Sequence, residues 1–284
     1  MVWRVLAWVV GRVPWVAVGW LGAVLGFLVG RVLRIRRRHV VLSMQRAGLV
    51  EAEVAADRMY RSLGTGVFEL LWTAAHPHED LGAVVSIDAR GWREVEAALG
   101  RGRGLVVATA HTGNWDLVAC AVAARVPLTV VTKHLHWRSL DAFWQRLRNQ
   151  RGVRLVNPEG AVREAGRTLR SGGVMAFLID QAPLRRRGVL QAPFLGEPAD
   201  HDCAFATIAA RHRAPLAVAF GERLEDGTHH VRVPLVRQGA QEQPAQWSEQ
   251  AVRETARVLE QFVRERPSQW LWLHRRWRRG GELN

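Results

Sequence analysis

The chain has 284 residues, 48% apolar and 23% charged, which suits a folded protein with room for a sizeable core and excludes a disordered or fibrous chain. Forty Lys and Arg stand against 26 Asp and Glu, a formal charge of +14, and only one of the forty is a lysine, Lys133. Two cysteines, Cys120 and Cys203, exclude a disulfide framework and a cysteine-based zinc site, while thirteen tryptophans against one tyrosine fit a chain living at a membrane surface.

In chain order, the first feature is an uncharged run from Val13 to Gly30, flanked by Arg4 and Arg12 on one side and by RVLRIRRR (31–38) on the other. Its eighteen residues would reach about 27 Å as a helix, enough to cross a hydrocarbon core or lie tilted in it. No small-residue cleavage site precedes the arginines, which argues against a cleaved signal peptide. The arginine cluster places the following domain on the cytoplasmic side. The expected organisation is a membrane anchor over residues 1–30 and a single domain over 31–284; the alternative is an apolar helix packed on that domain.

Residues 51–75 have helical spacing of apolar positions. Strand and helix then alternate: strand 84–88, helix 92–99, strand 104–110, helix 114–125, strand 127–132, helix 139–150, strand 153–157, helix 160–171 and strand 174–180. A looped stretch leads to a helix near 202–212, a strand pair at 215–220 and 229–235, and an amphipathic helix at 247–265. Short β-branched runs between helices predict an α/β fold, a mostly parallel central sheet flanked by helices, with its site at the strand carboxyl ends.

One such end runs from strand GLVVATA into HTGNWD, residues 111–116. Five residues turn a helix by about 500°, so His111 and Asp116 meet only if His111 sits in the turn and Asp116 reaches back from the first helical turn. Gly113 permits the turn and Asn114 is a candidate N-cap. A histidine oriented by a carboxylate takes the proton of an attacking hydroxyl. No serine or cysteine stands nearby as a nucleophile, so the pattern favours direct transfer to a substrate hydroxyl; the alternative is a buried structural histidine.

HTGNWD and its strand resemble the signature of the lysophospholipid-acyltransferase superfamily, and more narrowly that of the late (lauroyl/myristoyl) acyltransferases of lipid A biosynthesis. RSLGTGVFELLW (61–72), LRNQRGVRLV (147–156), DQAPLRRRGVLQAPFLGEPA (180–199) and WLWLHRRWR (270–278) are similar to further blocks of that family, in the right order. NPEG (157–160) looks like a glycerolipid-branch block but comes one strand-helix unit too early, so Glu159 reads as a helix-start residue. Asp180 and Gln181, after the later strand, take the place beside the acceptor or its phosphate.

The resemblance implies a bacterial inner-membrane enzyme with its catalytic domain on the cytoplasmic side. Its donor would be an acyl carrier protein or acyl-CoA thioester and its acceptor a membrane lipid, a lipid A precursor, with no cofactor. Backbone N–H groups of the 111–114 turn, or an arginine, would hold the tetrahedral oxyanion. Arg148 and Arg151 are candidates for a headgroup or phosphopantetheine phosphate, and the arginines of 185–187 and 274–279 for anionic lipid or an acidic carrier protein. His134, His136, His201 and His212 show no ligand pattern, so no metal is expected. The rival readings are a glycerolipid or glycolipid acyltransferase (phosphatidylinositol mannoside-like) and, on charge alone, a membrane-bound nucleic-acid binder, for which no motif is present.

Overall fold

The computed structural model describes residues 2–135, 137–183 and 187–277. Helices α1 (Val2–Val10) and α2 (Trp15–Phe27) are separated at Pro14, and α2 runs on into a π-helical turn, Leu28–Val32. Helix α3 (Arg37–Arg46) follows, starting at the end of the arginine run 31–38. Helix α4 (Ala52–Ala75) comes next.

Then come β1 (Val85–Ile87), α5 (Ala89–Leu99), β2 (Leu105–Thr109), α6 (Trp115–Ala123), β3 (Leu128–Val131), α7 (Arg138–Gln150), β4 (Arg154–Val156), α8 (Ala161–Arg170) and β5 (Val174–Leu178). The stretch expected to be looped holds a two-stranded hairpin, β6 (Val189–Phe194) and β7 (Glu197–Asp202). Helix α9 (Ala204–His212), strands β8 (Leu216–Arg223) and β9 (His229–Arg237), and helix α10 (Pro244–Glu265) complete the order.

The main sheet has seven strands in the order β1-β9-β8-β2-β5-β3-β4. Only the β8–β9 pair is antiparallel; β2, the strand leading into HTGNWD, lies between β5 and β8 and is parallel to both. Such a strand is covered on both faces, which is why LVVAT is apolar up to its final Thr109. Alternation along it sorts its side chains. Val106, Ala108 and Ala110 pack with α9 and α10 residues in the largest core cluster. Leu105 and Val107 face the opposite way, toward Val95 of α5 and Val122 of α6.

Helix α2 lies along α4. Gly22 and Gly26, one helical turn apart, rest on the backbone of Tyr60, Arg61, Gly64 and Thr65, and Gly30 rests on the Tyr60 side chain; a Cβ at any of the three glycines would overlap these atoms. Close backbone approach of this kind is what leaves room for glycine alone.

Candidate active site

Strand β2 continues its alternation to His111, which emerges on the Leu105–Val107–Thr109 face. Strand β5 does the same with Val174, Ala176, Leu178 and Asp180. The β2–β5 register pairs Leu105 with Val174 and Thr109 with Leu178, and the same offset of 69 residues separates His111 from Asp180. The two side chains are register neighbours just beyond the paired strands. Nδ1 of His111 lies 2.9 Å from Oδ1 of Asp180, and the other carboxylate oxygen accepts from the His111 backbone N–H at 3.1 Å. Trp270 Nε1 donates to the same carboxylate at 2.9 Å.

Asp180 is 0% exposed. Complete burial alone would push its carboxyl up, but the His111 and His274 rings and the Trp270 N–H outweigh burial and hold it well below the usual carboxylate range. Asp180 as acceptor of the Nδ1 proton leaves Nε2 of His111 with its lone pair outward. The imidazole remains 15% exposed, with Trp115 edge-on at 4.9 Å and His274 at 4.9 Å between ring centroids.

This arrangement differs from the sequence expectation in two ways. Asp116 does not reach back to His111. It is buried at the start of α6, where its carboxylate accepts from Trp144 Nε1 and Arg148 Nε of α7, each at 2.7 Å. The arrival of α7 beside α6, which five-residue spacing cannot convey, turns Asp116 sideways. Asp180, expected beside the acceptor, is instead sealed beneath His111 and touches no open space. Sequence reasoning also passed over Trp270 and Trp144 as partners of the two carboxylates, and His274 as a neighbour of His111.

The remaining residues fall as follows. Gly113 has φ +54° and Asn114 caps α6, its side-chain oxygen accepting from Leu117 N–H. The backbone N–H groups of Thr112 and Gly113 donate to Ala110 and Gln269 carbonyls; with His111 N–H on Asp180, these three are spent on holding the turn rather than open to an oxyanion. The Gln181 amide donates to Nε2 of His274 at 3.2 Å. Arg148 lines the cavity beside His111. Arg151 does not, since its guanidinium donates to the Thr73, His76 and Glu79 carbonyls at the end of α4. Arg276 is buried on the Asp200 carbonyl and His201 and is closed to lipid. His136, Arg185, Arg186, Arg278 and Arg279 lie outside the described residues. His134 pairs with Asp141, and no cluster of three potential metal ligands exists among the described residues.

Behind His111 an apolar cavity runs between the sheet and helices α5 and α6. Its wall passes from His111 and Trp115 down past Val107 and Ala176 to Leu105, Leu128 and Val174. Six residues of strand separate His111 from Leu105, about 20 Å.

Asn114 also ties the 111–114 turn to α4. Its Nδ2 donates to Glu69 at 2.8 Å, and Glu69 is ion-paired with Arg223 and lies 3.2 Å from His229 Nε2. Burial pushes the Glu69 carboxyl up, yet His229 and Arg223 bring it down to about 2.

Two other histidines, His201, which is buried, and His274, which is partly buried, make the stability of the fold depend on pH. Burial, with Arg276 nearby, pushes His201 down to about 3, and burial beside His111 pushes His274 down to about 4. Unfolded, each protonates near 6.5. The unfolded chain therefore binds more protons below that pH, so this stability is complete above about 6.5 and falls at about 1.4 kcal/mol per pH unit per histidine as the pH drops toward 4. The melting temperature is expected to decline between pH 6.5 and 4, and His201→Gln to flatten the decline, as a calorimetric pH series would record.

A histidine held on a buried carboxylate thus stands at one end of an apolar cavity. The family model described as bacterial lipid A biosynthesis acyltransferase matches residues 2–279, so the chain belongs to that family and is an acyltransferase. Among solved structures it is similar to the crystal structure of the 1-acyl-sn-glycerophosphate (LPA) acyltransferase PlsC from Thermotoga maritima, with a TM-score of 0.40 and 12% identity over 87% of this chain and 98% of that one. No curated protein matches it.

Proposed function

We propose that the protein moves a fatty acyl chain from an acyl thioester to a hydroxyl of a lipid A precursor, with His111 as general base and Asp180 as the group that orients it. The observation carrying this reading is the His111–Asp180 contact at the mouth of the apolar channel. The chain lies along β2 with its thioester carbonyl at His111. Nε2 takes the acceptor hydroxyl proton as the oxygen bonds to the carbonyl carbon. The oxyanion collapses, the carbon–sulfur bond breaks, and the leaving thiolate takes the proton from the imidazolium. Arg148, anchored by Asp116 on the same cavity wall, is the cation available to the oxyanion. With Gly113 and Asn114 holding the turn, Gln181 and His274 stand on the acceptor side.

The net charge of +14 suits an acidic carrier protein as donor, with acyl-CoA the other thioester. The apolar N-terminal helices fit attachment to the inner membrane with the catalytic domain on its cytoplasmic side. The test is mass spectrometry of lipids after incubation with acyl carrier protein thioesters and a lipid A precursor. A gain of one acyl chain that His111→Ala loses is expected; transfer only to glycerolipid or glycolipid in a total membrane extract would assign the acceptor to those classes, and no His111-dependent transfer by folded protein would overturn the reading.

A further inference from the structure

The turn that leads into α3 is strained. Arg34 and Arg36 both lie in the left-handed region, at φ +52° and +55°, a conformation that residues with a Cβ adopt rarely. Their surroundings pin them there. Ile35 N–H donates to the Val29 carbonyl, the Ile35 carbonyl accepts from the Tyr60 hydroxyl, and Arg37 N–H donates to the Arg34 carbonyl. Backbone held in this way against its preference clusters at active sites and ligand clamps.

The Arg36 side chain points to such a role. Its guanidinium crosses to the C-terminal segment and donates to the Leu273 carbonyl at 2.8 Å, while Nε2 of His39 lies 3.2 Å from the His274 carbonyl. The His274 ring is in turn the neighbour of the His111 ring. Burial first, then the His111 and Arg36 charges, push His274 down. A line of contacts therefore joins His111, His274 and Arg36.

The charge of Arg36 is uncompensated. Arg31 is paired with Asp57, and Arg37 with Asp57 and Glu53, whereas no carboxylate pairs with Arg36 among the described residues. The contact to Leu273 uses one N–H of the five that a guanidinium carries. Arg275 is likewise exposed and without a carboxylate partner among the described residues, in a hollow it shares with His39 and Ser43. An open, planar fork of N–H groups in a positive field matches the oxygens of a phosphate.

We propose that Arg36 binds a phosphate group of the acceptor lipid and so selects phosphorylated acceptors for His111. The proposal rests on the acyl-transfer reading above and specifies the headgroup chemistry of its acceptor. A headgroup tied at Arg36 presents its hydroxyl past His274 to Nε2 of His111. The tie exists before and during the reaction, so it acts on KM for the acceptor more than on kcat.

The test offers two acceptors to one acyl carrier protein thioester: a lipid A precursor, and the same lipid after phosphatase treatment. Wild type is expected to favour the phosphorylated lipid by about ten- to a hundredfold in kcat/KM, the range of a charge-assisted contact. Arg36→Gln should bring that ratio close to one, mainly through KM for the acceptor, and Arg36→Lys should restore part of it. Arg101→Gln, which removes the same charge from an exposed site between α5 and β2, should keep the wild-type ratio. A wild-type ratio near one, an unchanged ratio in Arg36→Gln, or an effect confined to KM for the thioester would overturn the proposal. Transfer to neither lipid by folded wild type would overturn the acceptor reading beneath it as well.

Discussion

Asp180→Asn is expected to lower kcat for acyl transfer by about a thousandfold or more, with KM for the thioester little changed. The asparagine amide fits the same space, but its nitrogen offers a donor where the imidazole now meets an acceptor. The Nδ1 proton then loses its partner, and the tautomer with the lone pair on Nε2 loses its support. The imidazolium formed during attack also loses the buried negative charge 2.9 Å away. His111→Ala should cost a similar factor, and the double variant little more than either single one, because the two act as a unit. Asp116→Asn separates the two carboxylates experimentally. Its partners are Trp144 and Arg148, so it should disturb the arginine's position and leave the shape of the pH–rate profile intact. A pH profile altered by Asp116→Asn and unchanged by Asp180→Asn would reverse the assignment.

Glu69→Ala is expected to be the most damaging substitution for folding. Glu69 sits inside α4 among Arg223, His229 and Asn114. Its removal leaves a largely buried guanidinium without a counter-charge, a loss of about 3–5 kcal/mol, or roughly 10 °C in melting temperature for a domain of this size. Glu69→Gln, which keeps the shape and an acceptor for Asn114, should lose less. The acid limb supplies a second readout. A carboxyl at about 2 in the fold and near 4.3 when unfolded contributes stability that is complete above about 4.5 and lost as the pH falls toward 2. Wild type should show that loss and Glu69→Gln should not. A Glu69→Ala melting point within a degree or two of wild type would refute the account.

Much of this architecture is legible in the sequence. Strands LVVAT and VMAFL are short, almost wholly apolar runs, and their punctuation by Gly104 and Gly173 fixes where each begins. The site itself was within reach, because once the two strands are taken as neighbours in register, His111 and Asp180 must emerge side by side. What sequence could not supply was which strands neighbour, since β5 inserts between β2 and β3. The Asp116 expectation failed for the same reason, its true partners arriving from α7. The β6–β7 hairpin was hidden by its turn. Leu195 and Gly196 both have positive φ, the signature of a tight hairpin turn, but leucine is not a residue that announces one, and Pro193 and Pro198 look like strand breakers. Helix α3 was concealed by arginines, of which Arg37 is buried and paired with Glu53 and Asp57.

Helix α4 has two working faces: Gly64 on one meets α2, and Glu69 on the other grips Asn114 of the turn that carries His111. A single helix is about 10 Å across, and nothing hinged intervenes between those faces. His111 is therefore held at a set distance from the surface of α2, much as a plane iron is set by the sole of its body. Were α2 the face that attaches the protein to a membrane, as proposed above, acceptor hydroxyls would be sorted by their height in the headgroup layer as well as by their chemistry.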